Sequence, residues 1–216
     1  VAVIGNQNEF GIGVKNAFIE RFRGLGGRLL AQTSYPPDAT DYSAQVAELL
    51  ETPPPAIYIA GYTEDTAAVI QAIRAAGYEG PLFGTGAVLG DQLIAIAGEA
   101  ANDFVFPHPA FDLDDENESV QAFVTAYEGK YGALPDVYAA HGYDAMNILA
   151  LAIQEAGTIP DEVRFYLNSM NPYVGVTGDT DFTETGDVRK FHTMLKVVDG
   201  QVYHVDEVPT GEGEGE

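Results

Sequence analysis

The sequence contains no cysteine among its 216 residues, which excludes disulfides, thiolate catalysis and Cys-ligated metal sites. Basic side chains are scarce as well, since 10 Lys and Arg stand against 33 Asp and Glu and give a formal net charge of -23. Nucleic acids and anionic membranes are held mainly by basic side chains, so neither is an expected partner. No run approaches the roughly 20 apolar residues that a membrane-spanning helix needs.

Familiar catalytic and metal-binding motifs are also missing. No G-x-S-x-G sequence supplies a hydrolase nucleophile. The histidines have no partner in an HxxxH or HExxH pattern, so we expect neither a zinc site nor any other cofactor. Carboxylate pairs suited to acid/base work do occur, but among 33 acids they are interpreted as solvated surface. The four histidines are His108, His141, His192 and His204.

A Gly-x-Gly sequence at residues 11–13 lies where a dinucleotide-binding loop would lie, between a strand and a helix. Asn16 takes the place of the third glycine of that motif, and no acidic residue ends the second strand to hold a ribose. The sequence is therefore interpreted as a tight strand-to-helix turn that glycine permits.

What is present is a pattern of short apolar runs, and 46% of the residues are hydrophobic. The chain opens on the apolar residues 1–4, which are typical of a strand buried on both faces. Five such strands alternate with four helices up to Pro107, and connections of that length are what parallel strands require. The pattern predicts an α/β lobe with a doubly wound parallel sheet.

The rhythm changes after Pro107, where three helices follow without intervening strands. Turn-forming residues then separate the strands of a β-rich tail, which ends in a Gly-Glu alternation that we expect to be disordered. The helices are predicted around 120–131, 137–156 and 161–169, and the strands at 177–182, 192–198 and 201–205.

Three stretches resemble the type I periplasmic binding proteins, specifically the branched-chain amino acid (leucine/isoleucine/valine) branch of ABC transporter receptors. Residues 1–13 are similar to the strand and aromatic-Gly-x-Gly turn of that family. Residues 135–145 resemble its helix with a Tyr-Asp-Ala sequence, and residues 175–187 its Gly-x-x-Gly and Gly-Asp tail. The resemblance covers essentially residues 1–205 in order and spacing.

The resemblance implies two α/β lobes that close on a ligand by a hinge motion. On that plan, residues 1–107 with 173–206 form the ligand-binding C-terminal lobe, residues 108–172 are a helical segment of the N-terminal lobe, and residues 207–216 are a disordered acidic tail. The first half of the N-terminal lobe is not in this sequence, so these helices belong to an incomplete second lobe. Because the chain opens directly on a buried strand, we expect a signal peptide or a domain upstream.

The family's ligand contacts carry over to aromatic and polar residues at the carboxyl ends of the strands, where open α/β sheets bind ligands. The resemblance puts Phe10, Tyr62 and Tyr138 against the ligand as aromatic walls. Thr63, Thr85 and the backbone near Gly86 are expected to hydrogen-bond it. From the residues alone, Phe10 and Tyr62 are equally well explained as caps on the sheet.

One departure from the family concerns the charge of the ligand. Several amino-acid binders present an acid to the ligand's ammonium after the fourth strand, where this chain has Thr85 and Gly86. A buried ammonium without a carboxylate is costly. Either Glu9, Glu64 or Asp65 replaces that acid, or the ligand is another small carboxylate or amide.

The resemblance implies a non-catalytic receptor of an ABC importer that binds a branched-chain or other small amino acid, or a related carboxylate, and docks on an ABC permease. A sensory ectodomain or regulator of the same fold, or less readily an α/β enzyme, stays open. The location implied is periplasmic or extracellular, with a lipid anchor in the precursor. The dispersed acids indicate a salt-rich exterior, as in a halophile.

The incomplete second lobe leads to one further expectation. Its helices would lack part of their packing surface, leaving an apolar patch of the kind that drives association. We therefore expect self-association through these helices. The apolar residues concerned are Val120, Phe123, Ile148, Leu149 and Ile153.

Overall fold

The computed structural model describes residues 1–190 and 192–208 of the chain. The chain divides into two compact units, each described here by itself. The first unit comprises Val1–His108 and, within the described part, residues 194–208. The second unit is Pro109–Thr193. The predicted tail at 207–216 falls almost entirely outside the described residues.

Strands and helices alternate through the first unit as the sequence predicts. A short 3-10 turn at Gly98–Ala101 follows the fourth helix. The elements are β1 Ala2–Asn6, α1 Glu9–Gly24, β2 Ala31–Tyr35, α2 Ser43–Leu50, β3 Ile57–Ala60, α3 Thr63–Ala75, β4 Leu82–Phe83, α4 Gly90–Ala97 and β5 Phe104–Pro109, and later β9 His192–Val198 and β10 Gln201–His204.

One seven-stranded sheet in the order β10-β9-β5-β4-β3-β1-β2 organises the first unit. The strands β1 to β5 pair in parallel, and β9 and β10 form an antiparallel hairpin. In the centre, Ile4 of β1 lies opposite Ile59 of β3. The doubly wound parallel lobe predicted from the sequence is confirmed.

Both faces of this sheet are covered. Successive side chains of a strand point to opposite faces, and in β1 both sets pack against other elements. Ala2 and Ile4 pack in the core that contains residues of α2, α3 and α4. Val3, between them, packs in a separate cluster with Ile19 of α1 and Tyr58 of β3. All five residues of β1 are buried, which explains the continuous apolar run at residues 1–4.

The second unit contains three helices and a small antiparallel sheet. Its helix α6 has the predicted bounds, and the two shortest strands were not predicted. The elements are α5 Glu118–Tyr131, α6 Val137–Ala156, α7 Pro160–Ser169, β6 Tyr173–Gly175, β7 Gly178–Phe182 and β8 Val188–Arg189.

Asp144 of α6 ties the turn between β6 and β7 to the helices. Its carboxylate accepts the backbone amides of Val176 at 3.0 Å and Thr177 at 2.9 Å, and also the Thr177 hydroxyl. Only 3% of Asp144 is exposed. Residues 173–193, which were expected to lie with residues 1–107, thus lie in the unit of the helices.

The apolar patch expected on the helices of the second unit is smaller than predicted. Val120 and Phe123 are buried, because α5 packs them into a cluster with Ala140 of α6. Ile148 is buried as well, whereas Leu149 and Ile153 remain 40% and 39% exposed. Within the described part of the chain, no helix is long and apolar enough to cross a membrane.

Candidate functional site

The carboxyl ends of β1, β3 and β4 bring most of the predicted site residues to one edge of the sheet in the first unit. Asn6 ends β1, Gly61 follows β3 and Gly84 follows β4. Parallel strands end at the same edge, which is where open α/β sheets bind ligands. The predicted residues Phe10, Tyr62, Thr63, Thr85 and Gly86 belong to the connections that leave this edge.

Phe10 and Tyr62 form a stacked aromatic pair at this edge. Their ring centroids lie 4.5 Å apart with an interplanar angle of 20°. Phe10 lies in the first turn of α1 and Tyr62 is the N-cap residue of α3, so the pair joins two helix starts. Tyr62 is 48% exposed and presents an aromatic surface with a phenol to solvent. Such a surface suits the apolar part of a small molecule.

The hydroxyls of Thr63 and Thr85 are buried and engaged within the protein. Thr85 Oγ1 donates to the Gly61 carbonyl at 2.8 Å. Thr63 Oγ1 donates to the Ala87 carbonyl at 3.4 Å and accepts the Leu89 amide at 3.0 Å. A hydroxyl has one proton to donate, so both side chains spend theirs on joining the loops after β3 and β4.

The start of α3 offers unfilled hydrogen-bonding capacity. The N-cap residue of α3 is Tyr62, whose side chain makes no capping hydrogen bond. The start of α1, in contrast, is capped by Asn8, whose side-chain oxygen accepts the Gly11 amide at 2.7 Å. The first amides of a helix and its dipole attract anions, so the start of α3 suits an anionic head group.

Gly86 is half-buried, and its surroundings leave room for a side chain at ordinary van der Waals distance. A Cβ atom added to Gly86 would lie 3.4 Å from the Pro107 carbonyl oxygen. Two of the three acids considered as replacements, Glu9 and Glu64, are exposed in the first turns of α1 and α3. The third, Asp65, is committed to contacts inside the protein.

Asp65 receives two hydrogen bonds that join the ends of three strands, and this cluster was not predicted from the sequence. Its Oδ2 atom accepts Asn6 Nδ2 and the Tyr35 hydroxyl, each at 2.7 Å. Burial, and then the charge of Asp65, raise the pKa of Tyr35 well above its ordinary value. A Cβ atom on Gly61 would lie 2.6 Å from the Tyr35 hydroxyl, so glycine lets the cluster fit under the end of β3.

Tyr138 belongs to the second unit, in the first turn of α6, and is 55% exposed. The helix start is fixed by Asp136, whose side chain accepts the Ala139 amide at 2.7 Å. Tyr138 therefore presents its ring from a well-capped helix. It is described only within its own unit.

A surface cavity of about 920 Å³ lies at the opposite edge of the first unit's sheet, near the start of β5. Glu79 and Asp103 are among its acidic lining residues. Arg74 also lines the cavity, and its guanidinium fixes the backbone by donating to the carbonyls of Tyr78, Gly80 and Asn102. Across residues 1–190 and 192–208, no cluster of three potential metal ligands occurs.

The sequence profile of a family described as "Periplasmic binding protein" matches residues 1–201. The chain belongs to this family. Its relatives lie in the branched-chain amino acid branch of the type I periplasmic binding proteins, which confirms the resemblance noted in the sequence. One is the leucine-, isoleucine-, valine-, threonine-, and alanine-binding protein of Pseudomonas aeruginosa, 23% identical over 88% of this chain and 51% of the relative.

Two solved structures show the same family fold. A leucine binding protein from Thermotoga maritima is 28% identical with a TM-score of 0.81, over 94% of this chain and 58% of that one. A candidate branched-chain amino acid ABC transporter protein from Rhodospirillum rubrum is 34% identical with a TM-score of 0.80, over 94% and 60%. This periplasmic binding protein chain spans about half the length of the curated relatives that it matches.

Proposed function

We propose that this chain is part of a solute-binding receptor that serves an ABC importer, without catalysis, in the periplasm or outside the cell. The observation that carries the proposal is the Phe10–Tyr62 stack, in which Tyr62 is exposed, beside the uncapped start of α3. An aromatic wall next to free helix amides suits a small molecule with an apolar side and an anionic head. The named binding proteins among the relatives support this interpretation.

The ligand that we propose is a small aliphatic amino acid or a related carboxylate. The Pseudomonas aeruginosa relative is named for leucine, isoleucine, valine, threonine and alanine. The carboxylate would bind the free amides at the start of α3, and the apolar side chain would lie on the ring of Tyr62. Glu9 and Glu64, both exposed at helix starts, are the acids left to receive an ammonium.

The two threonines have a revised role in this proposal. Because each spends its proton on a loop carbonyl, Thr63 and Thr85 would shape the edge and contact the ligand only as acceptors. The backbone at Gly86 would contribute amides, as predicted. Tyr138 stays a proposed contact that rests on the family resemblance, and hinge closure of two lobes is proposed on the same ground.

A ligand pair that differs in one charge tests the ligand class. Leucine and 4-methylpentanoate share the carboxylate and the branched side chain, and only leucine carries an ammonium. If an acid receives the ammonium, leucine should raise the melting temperature and 4-methylpentanoate should not. If the glycine at position 86, in place of an acid, instead indicates a receptor for simple carboxylates, 4-methylpentanoate should raise the melting temperature and leucine should not. A melting temperature unmoved by a wide panel of amino acids and carboxylates would contradict the receptor proposal.

We also propose that the chain, as it stands, self-associates through the second unit. Leu149, Ile153 and Phe182 line an apolar groove of about 520 Å³ along α6 and α7. Light scattering after size exclusion should show dimers that Leu149→Lys dissociates. Monomers at all concentrations would contradict this. Lipid anchoring of the precursor, docking on a permease and a salt-rich habitat stay predictions.

A further inference from the structure

A chain of three hydrogen bonds connects the first turn of α3 to the first turn of α1. Asp65 Oδ2 accepts Asn6 Nδ2 at 2.7 Å. The other end of the same amide, Asn6 Oδ1, accepts the Asn8 backbone amide at 3.0 Å. Asn8 Oδ1 in turn accepts the Gly11 amide at 2.7 Å. Asn6 thus uses both the donor and the acceptor of its side-chain amide. Asn8 takes part through its backbone amide and its side-chain oxygen, so the series of hydrogen bonds is continuous from Asp65 to Gly11.

The two ends of this hydrogen-bond relay lie beside the two members of the aromatic pair. Tyr62 is the N-cap residue of α3, one turn before Asp65. Phe10 directly precedes Gly11 in the first turn of α1. The rings stack with centroids 4.5 Å apart and so connect the two helix starts through an apolar contact. The relay connects the same two helix starts through polar groups.

Asp65 is unsuited to receive a ligand's ammonium. Its Oδ2 atom already holds two donors, from Asn6 and Tyr35. Its Oδ1 atom is buried, with no hydrogen-bond partner among the described residues. A ligand on the exposed ring of Tyr62 would therefore find neither oxygen within reach. The contacts instead fit a side chain that holds other groups in place.

We propose that Asp65 and Asn6 are positioning residues for the ligand edge, acting through the relay to set the spacing of Phe10 and Tyr62. The proposal rests on the proposed function only where it concerns ligand affinity. The charge strengthens the relay, since hydrogen bonds to ionised acceptors are about twice as strong as neutral ones. Tyr35 is a second donor to Asp65 that does not belong to the relay.

A fluorescent reporter tests the relay without any ligand. The chain has no tryptophan, so Phe10→Trp introduces a single indole stacked on Tyr62. In that background, Asn6→Asp keeps the shape and the acceptor but replaces the donor with a negative charge facing Asp65. We expect acrylamide to quench the indole about twofold more strongly, because a lost charged hydrogen bond frees the helix start.

Two control variants separate positioning from general stability. Tyr35→Phe removes the other hydrogen bond to Asp65 and should leave the quenching unchanged. Asp144→Asn weakens the turn in the second unit and should also leave it unchanged. Equal quenching in Asn6→Asp and its parent, or a change as large in Asp144→Asn, would overturn the proposal.

The same substitution without the reporter links the relay to binding. Asn6→Asp should weaken binding of whichever probe, leucine or 4-methylpentanoate, stabilises the wild-type chain, by about tenfold. Tyr35→Phe should bind that probe as the wild type does. Unchanged affinity in Asn6→Asp would overturn the role in binding. If neither probe binds the wild type, the proposed function fails while the quenching result still decides the relay.

Discussion

Replacing Gly11 by alanine should destabilise the chain strongly, because the first turn of α1 packs directly on the end of β1. A Cβ atom on Gly11 would lie 2.3 Å from the Asn6 carbonyl oxygen, whereas ordinary contacts begin at 3.4 Å. Backbone atoms lie on both sides of this contact, so α1 must shift by about 1 Å. Overpacking of this kind costs about 1–3 kcal/mol. The cap from Asn8 to the Gly11 amide adds about 1 kcal/mol when it is strained.

The neighbouring glycine provides a matched control on the same helix. A Cβ atom on Gly13 would meet no other atom within 4 Å, so Gly13→Ala should stabilise α1 by about 0.5–1 kcal/mol. Urea denaturation followed by circular dichroism measures both free energies of unfolding. Gly11→Ala should be less stable than the wild type by about 2–4 kcal/mol. Equal stability of the two variants would refute the close approach of α1 to β1.

Three other predictions concern stability. Asp144→Ala should lower the free energy of unfolding by about 3 kcal/mol or more, since it leaves the buried amides of Val176 and Thr177 without their acceptor. The exposed Glu155→Ala should change it by less than about 0.5 kcal/mol. Similar values for both would contradict the role of Asp144 in holding the turn between β6 and β7. Burial raises the pKa of Tyr58 to about 12, so the stability that the neutral phenol contributes is complete below pH 10, the pKa of the unfolded state, and is lost as the pH rises through 12. The urea midpoint of the wild type should therefore fall over this range, and Tyr58→Phe should flatten that fall. An equally steep fall in Tyr58→Phe would contradict the prediction. Added NaCl from about 0.1 to about 1 M should raise the urea midpoint, because it screens the net charge of -23; a flat or falling midpoint removes the halophilic interpretation.

The sequence predicts the elements whose apolar pattern is long enough to be periodic. The helix Val137–Ala156 has the predicted bounds, since Asp136 caps its start and Gly157 ends it. The strands Tyr173–Gly175 and Val188–Arg189 were missed because two or three residues carry no readable alternation.

The sequence predicts which residues lie near the carboxyl ends of the strands, because this depends only on each residue's own place in the chain. Phe10 and Tyr62 lie shortly after the ends of β1 and β3, and their rings stack at that edge of the sheet. The aromatic wall that the family resemblance implies stays a prediction. The relay is different, because Asn6 and Asp65 are 59 residues apart and each is an ordinary polar residue after a strand. Only the pairing of β1 with β3 brings them together. An asparagine ending one strand and an acid in the first turn after a neighbouring strand are the signal that could have found the pair.

The most direct test of the receptor account is calorimetric titration of the wild type and Tyr62→Ala with the ligand that thermal screening identifies. Loss of the ring should weaken binding about 10- to 100-fold, as expected for a central aromatic contact. Tyr131→Ala is the matched control, because Tyr131 is also exposed and lies 4.5 Å from another ring, that of Tyr127. It should bind as the wild type does. Unchanged affinity in Tyr62→Ala would contradict the claim that ligand binds at this edge of the sheet.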